Sequence, residues 1–243
     1  NFFLWKMFSK LAMALHIDWS YQDQLIFLPI GISFYTLSAI GYMADVYWGK
    51  VKAEYSLVKT ALFLGFFPVI VEGPICRWED VEDTLFKNES VKAANVFKGS
   101  YRIIWGLFKK MIIADRLAVL VDKVYVGYES YSGAVIVAAA ISYTIQLYME
   151  FSGCMDMVIG SAGLFGIHLP ENFSQPFFAK TCTDFWKRWH ITLGVWFKNY
   201  IFYPVSISKT ARKWNKFTRK HFKGNLENIM SRMGIAAMAL FPV

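Results

Sequence analysis

The sequence predicts an all-α, polytopic membrane protein, and three observations carry that prediction. Of the 243 residues, 56% are hydrophobic and 18% aromatic, with a mean hydropathy of +0.33. Soluble domains are about 45–50% apolar. Two runs hold no charged residue: 24–44, QLIFLPIGISFYTLSAIGYMA, closed by Asp23 and Asp45, and 130–149, closed by Glu129 and Glu150. Each has about the 20 residues that cross a hydrocarbon core. A soluble core could absorb one such run; two, with shorter apolar runs at 60–71, 157–167 and 233–243, favour several passes through a bilayer. The chain opens on NFFLWK, apolar and without Met, and closes on ALFPV inside another apolar run. It reads as the central part of a longer protein, one transmembrane domain over 1–243 with no linker, repeat or low-complexity segment.

Residues 1–17 read as the end of one span. Residues 24–45 form the clearest span, with Pro29 in its first turns, where proline is tolerated or kinks the helix. Residues 57–72 hold an apolar stretch of only about 12, too short to cross unaided. Gly65 and Pro68 within it suit a broken or re-entrant helix. Residues 73–90 are polar and loop-like. The helix predicted over 91–124 is interrupted by Arg102, Lys109, Lys110, Asp115 and Arg116, so it faces protein or water. A span follows at 130–151. Residues 155–167 form a short helix whose Gly160, Ser161, Ala162, Gly163 and Gly166 allow close packing. HLPENFSQPF, 168–177, is a turn region with two prolines. The stretch 184–204 is a helix capped by Thr183, with Asp184 in its first turn and Pro204 at its end.

Charge is concentrated. The net charge is +8, from 26 Lys and Arg against 18 Asp and Glu. Between Phe185 and Leu226 there are ten basic residues and no acid. The segment 209–224, KTARKWNKFTRKHFKG, supplies Lys209, Arg212, Lys213, Lys216, Arg219 and Lys220, with Trp214, Phe217 and Phe222 between them. It reads as a cytoplasmic juxtamembrane segment on anionic membrane lipid, or as a dock for an acidic, phosphate-bearing carrier. The surrounding hydrophobicity argues against nucleic acid as a partner. Loop 46–59 is mildly basic and suggests the same side.

The residues able to do chemistry are few. Cys76, Cys154 and Cys182 form no CxxC pair, and His16, His168, His190 and His221 have no HxxxH or HExxH spacing, so no metal site or disulfide framework is expected. As a continuous helix, 184–204 places Trp186, His190, Leu193 and Phe197 on one face and Phe185, Trp189, Thr192 and Trp196 on the next. Asp184 and Arg188, four apart, can pair. Such a helix cannot lie freely in lipid; it lines a cavity or sits at the interface. His190 there can act as a general base, or simply hydrogen-bond a neighbour. Glu150 and Asp156 in QLYMEFSGCMDMVIG are acids at membrane depth, candidates for function or for pairing with the basic helices. Glu72 and Arg77 mark a polar turn.

Five stretches, LPIGISFYTLSAIGYMADVYWG (28–49), EGPICRWED (72–80), YMEFSGCMDMVIGSAGLFGI (148–167), LPENFSQPF (169–177) and DFWKRWHITLGVWFKNYIFYPV (184–205), resemble in this order the membrane-bound O-acyltransferase family. The likeness is strongest to the bacterial branch that O-acetylates alginate and other envelope polymers. The resemblance implies a helical funnel with broken or re-entrant helices in the bacterial cytoplasmic (inner) membrane. It implies transfer of an acyl group, acetyl in that branch, from a thioester donor (acyl-CoA or an acyl carrier) to hydroxyls of an envelope polysaccharide, with no bound cofactor. A periplasmic or extracellular partner protein is a further expectation. The family's arginine-tryptophan-histidine signature falls on Arg188, Trp189 and His190, which makes His190 the catalytic candidate. Asp184, Trp186, Arg188, Trp189, Glu150 and Asp156 are expected to line the substrate path. Two departures stand out: Glu150 replaces the family's aspartate before FSG, and Cys154 its tyrosine after FSG. The family also carries a second histidine, in an apolar Trp-His-Gly setting and often assigned as the main catalytic base, that none of the four histidines here matches; under that assignment the resemblance implies that His190 lines the donor path or positions the thioester instead of taking the proton. Two alternatives to acetyl transfer remain at this point, D-alanyl transfer to teichoic acid and a non-enzymatic transporter or channel.

Overall fold

The computed structural model describes residues 31–87, 91–222 and 224–240. The expected span at 1–17, the first part of the run 24–45 with Pro29, and the last residues of the run 233–243 lie outside them. The described residues are α-helical apart from loops, short 3-10 and π turns, and one isolated β-bridge. The helices are α1 (Ile32–Tyr47), α2 (Leu57–Leu64), α3 (Phe67–Ile70), α4 (Trp78–Leu85), α5 (Ala93–Leu107), α6 (Asp115–Val126), α7 (Gly133–Leu164), α8 (Cys182–Arg188), α9 (Ile191–Phe197), α10 (Tyr203–Ile207), α11 (Lys209–His221) and α12 (Asn225–Leu240).

The break expected within 57–72 is present. Ser56 caps α2 by accepting from the Lys59 amide, Gly65 ends it, and α3 restarts with Pro68 in its first turn. Three expectations are corrected. Residues 73–90 are not all loop: α4 forms in WEDVEDTL, with Trp78 and Val81 buried. Residues 130–151 and 155–167 are one helix, α7, of 32 residues. Ser152 and Gly153, which read as a break, are instead buried. Finally, 184–204 is not one helix. Thr181, not Thr183, accepts from the Asp184 amide and caps α8. The helix stops at Arg188, restarts at Ile191, and passes through a π turn, Lys198–Phe202, into α10. Pro204 sits in the first turn of α10 rather than ending a helix.

α7 is the spine. α5 continues through a π turn, Phe108–Ala114, into α6, and this unit packs along α7. Two glycine pairs close the seam. A Cβ on Gly106 would lie 2.6 Å from the Gly153 carbonyl oxygen, and one on Gly99 would lie 2.7 Å from that of Gly160. The pairs are seven residues apart on each helix and run in opposite directions, so the two backbones meet antiparallel along one face. On the other side of α7 an apolar cluster of Phe63, Phe66, Cys76, Trp78, Val81, Ile159, Ala162 and Leu169 holds α2, α3 and α4. Burial there pushes the Cys76 thiol up to about 12, which keeps it protonated and inert. Among the described residues, α7 is long and apolar enough to cross a membrane. Its Val137 and Ile141, with Phe97 and Ile104 of α5, leave large apolar side chains exposed.

Candidate functional site at the α8–α9 break

The break after Arg188 is made by a second strand of chain. Phe173 and Trp189 form an antiparallel bridge. The Ser174 amide donates to the Arg188 carbonyl at 3.0 Å, and the Ile191 amide donates to the Asn172 carbonyl at 3.0 Å. Trp189 is extended, and His190 takes φ 46°, ψ 53°. That left-handed conformation is uncommon for a residue with a side chain and marks stored strain at a place worth functional attention. It also abolishes the shared face predicted for Trp186, His190, Leu193 and Phe197.

His190 is half-buried. Its Nδ1 lies 3.1 Å from Asn172 Oδ1, and its ring meets Phe151 of α7 edge to face at 4.9 Å. Among the described residues no hydrogen bond reaches Nε2. Burial holds the imidazole below the ordinary histidine pKa, so the neutral, lone-pair-bearing form prevails at neutral pH.

Around it four of the stretches singled out in the sequence converge. Asn172, fully buried, accepts at Oδ1 from the Thr192 amide (3.2 Å) and the Thr192 hydroxyl (2.9 Å), and its Nδ2 meets Met155 Sδ at 3.3 Å. The Ile75 amide donates to Thr192 Oγ1 at 3.1 Å. Trp189 sits among Tyr148, Phe173, Phe177 and Phe185, with ring centroids 5.1–6.4 Å away. The result is an apolar aromatic wall beside one basic nitrogen.

The other expected residues are distributed unevenly. Arg188 and Asp184 pair at 3.0 Å as their spacing predicted, and Asp184 also accepts from the Lys180 amide. Asp184 is held below the usual carboxylate range by that Arg188 contact first. Trp186 is 66% exposed, its ring edge to face with Phe185. Glu150 and Asp156 belong to the α5–α7 seam. Lys110 donates to Glu150 at 2.6 Å, and Asp156 receives Lys109 at 2.6 Å and Arg102 at 3.0 Å. Arg102 also forks onto Glu171, and Arg77 pairs with Asp80 and Glu79. Asn172 and Thr192 were missed as site residues. LPENFSQPF reads as a turn and as one of the five family-like stretches, with no role for its Asn172; an amide between two prolines was the available signal. The groups of three or more side chains that bind metal ions are absent among the described residues.

α11 packs on α12 through Trp214, whose Nε1 donates to the Met230 carbonyl at 3.1 Å, and through Asn215, which accepts from Ser231 at 2.6 Å. Its Lys209, Arg212, Lys213, Lys216, Arg219 and Lys220 are exposed. Arg219 reaches Glu227 at 3.6 Å; no acid pairs with the four lysines among the described residues.

The sequence pattern of the membrane-bound O-acyltransferase family matches residues 50–219. A protein named probable alginate O-acetylase AlgI, from Pseudomonas aeruginosa, is 40% identical over 177 residues, covering 73% of this chain and 34% of that protein. The peptidoglycan O-acetyltransferase of Helicobacter pylori is 34% identical over 210 residues, 74% of this chain and 39% of that one. The teichoic acid D-alanyltransferase of Bacillus subtilis is 30% identical over 193 residues, 77% and 48%. The chain spans about a third of the length of the alginate O-acetylases it matches.

Proposed function

The chain belongs to the membrane-bound O-acyltransferase family, and from that premise we propose that it carries the His190 centre of a multi-pass enzyme of the bacterial inner membrane. The reaction moves a small acyl group, acetyl by likeness to the alginate and peptidoglycan O-acetylating relatives, from a thioester to hydroxyls of an envelope polysaccharide. The observation that supports this most is His190 itself: a neutral, half-buried imidazole anchored at Nδ1, with Nε2 facing no protein donor among the described residues. Nε2 takes the proton of the acceptor hydroxyl as its oxygen attacks the thioester carbonyl carbon. The C–S bond breaks, and the leaving thiolate takes that proton back from the imidazolium. The aromatic wall around Trp189 excludes water that would otherwise hydrolyse the thioester. The donor is an acyl thioester, carried on coenzyme A or on a carrier protein.

The broken segments at Gly65–Phe66 and Trp189–His190 suit a funnel in which irregular backbone lines a cavity instead of facing lipid. The exposed apolar side chains of α5 and α7 suit lipid or further helices. The test uses the full-length protein. His190→Ala at matched membrane levels is expected to abolish acyl ester on the polysaccharide; unchanged esterification rejects the role.

The likeness to teichoic acid D-alanyltransferases supports a second reading, D-alanyl transfer from a carrier. The basic face of α11 then docks the acidic carrier, whereas in acetyl transfer it rests on anionic lipid. Capture of the purified carrier, lost when Lys213, Lys216 and Lys220 become Glu, favours the second reading. No capture by the unmodified protein rejects it.

A further inference from the structure

We propose that Asn172 is the positioning residue that sets the working tautomer of His190, keeping the proton on Nδ1 and leaving the Nε2 lone pair to act. The proposal rests on the reading of His190 as a base and adds what makes it one. Asn172 Oδ1 accepts the Thr192 backbone amide, and an amide N–H can meet only an acceptor. This atom is therefore the carbonyl oxygen of the side chain and not its NH2. A carbonyl oxygen cannot donate, so the 3.1 Å contact to His190 requires the hydrogen on Nδ1. In a neutral imidazole the lone pair then lies on Nε2.

The oxygen is itself held in place. The Ile75 amide donates to the Thr192 hydroxyl, which donates on to Asn172 Oδ1. Each donor polarises the next in a site closed to water. Asn172 is fully buried, and its own carbonyl fixes Ile191 one residue beyond His190. One residue thus determines both the backbone turn and the ring proton. Among the described residues no charged group forms a hydrogen bond or ion pair with the imidazole. Asp184 is occupied by Arg188 on α8, Glu150 by Lys110, and Asp156 by Lys109 and Arg102 on the α7 seam. The face from α7 is the ring of Phe151.

The direct test is nitrogen NMR of full-length protein labelled with 15N-histidine, with His190 assigned by the signal missing in His190→Gln. Wild type is expected to show a protonated Nδ1 and an unprotonated Nε2 at neutral pH. A proton on Nε2 overturns the proposal, whatever the enzyme's activity. Asn172→Ala is expected to mix the tautomers and lower the transfer rate about 10²-fold, within the range a general base contributes. Asn172→Asp has the same size and places a carboxylate on Nδ1. It should move the acid limb of the rate–pH profile up by about one pH unit or more, and it carries the kinetic test if the alanine variant does not accumulate. An acid limb unmoved in Asn172→Asp, with the wild-type tautomer retained in Asn172→Ala, assigns Asn172 a purely structural part and overturns the proposal. If His190→Ala keeps full activity while the NMR result stands, the base assignment has failed and the tautomer assignment has not.

Discussion

Two regions of this protein place polar side chains among apolar helices, and they do it in opposite ways. Along the α5–α7 seam the ionic groups that face each other are paired: Lys109 and Arg102 on Asp156, Lys110 on Glu150 and Asp115. The backbone there is regular helix apart from one π turn. At the α8–α9 break the backbone is strained at His190, and the polar group held there has one nitrogen satisfied and one open among the described residues. A closed set of charges holds helices together and has nothing left over for chemistry. An open nitrogen on a backbone that tertiary contacts must force into place is a poor way to gain stability and a good way to present a base.

That contrast is broken most sharply by His190→Gly. Transfer activity should fall about 10²–10⁴-fold, while resistance to thermal unfolding should hold or rise by about 1 kcal/mol, because glycine accepts the left-handed conformation without strain. A loss of stability would mean that the break is held by the imidazole rather than by Asn172 and Phe173. The seam should respond the other way. Asp156→Ala leaves Lys109 and Arg102 without their shared carboxylate and should cost about 3 kcal/mol of stability, read as lower membrane accumulation and a lower unfolding temperature. Normal accumulation with lost activity would move Asp156 from the seam to the substrate path. Gly106→Ala should cost about 1–3 kcal/mol, since its methyl meets the Gly153 backbone at 2.6 Å; full stability would show that α5 and α7 can part. The acid limb of the wild-type rate should lie below the ordinary histidine range, because burial lowers the His190 pKa. Activity is lost only as falling pH protonates Nε2, and a limb above that range would require an acidic neighbour. Smallest in stability is the reversal of Lys213, Lys216 and Lys220 to Glu. These exposed groups should change unfolding by less than about 0.5 kcal/mol while weakening attachment of the α11 face to anionic vesicles.

The sequence was readable where the cause lay in neighbouring residues. Gly65 and Pro68 announce their own break, the Asp184–Arg188 pair follows from a four-residue spacing, and the charges of 91–124 require partners that α7 supplies. Helix α4 was readable too: Trp78, Val81 and Leu85 keep helical spacing, but the acids between them suggested a loop. What could not be read was set at a distance. Nothing in RWHIT suggests a left-handed turn, for it lacks glycine and proline; the turn exists because Asn172–Ser174 pairs with Arg188–Ile191. Ser152 and Gly153 imitate a helix end, yet their small size is what admits α5. For the candidate site, the histidine was evident and its holder was not.

The π turn at Phe108–Ala114 has a consequence for how this segment can change length. Each turn there spends more residues than an α-helical turn, so adjacent Lys109 and Lys110 both reach α7, one toward Asp156 and the other toward Glu150. Removing a single residue would let the turn relax to α with little rotation of α6 beyond it, because a π turn holds one residue more than the α turn it becomes; the change falls inside the turn, on the lysines that reach Asp156 and Glu150. The segment therefore behaves like a slack loop in a rope: it can give up one residue and keep α5 and α6 in register, at the expense of one lysine contact to α7.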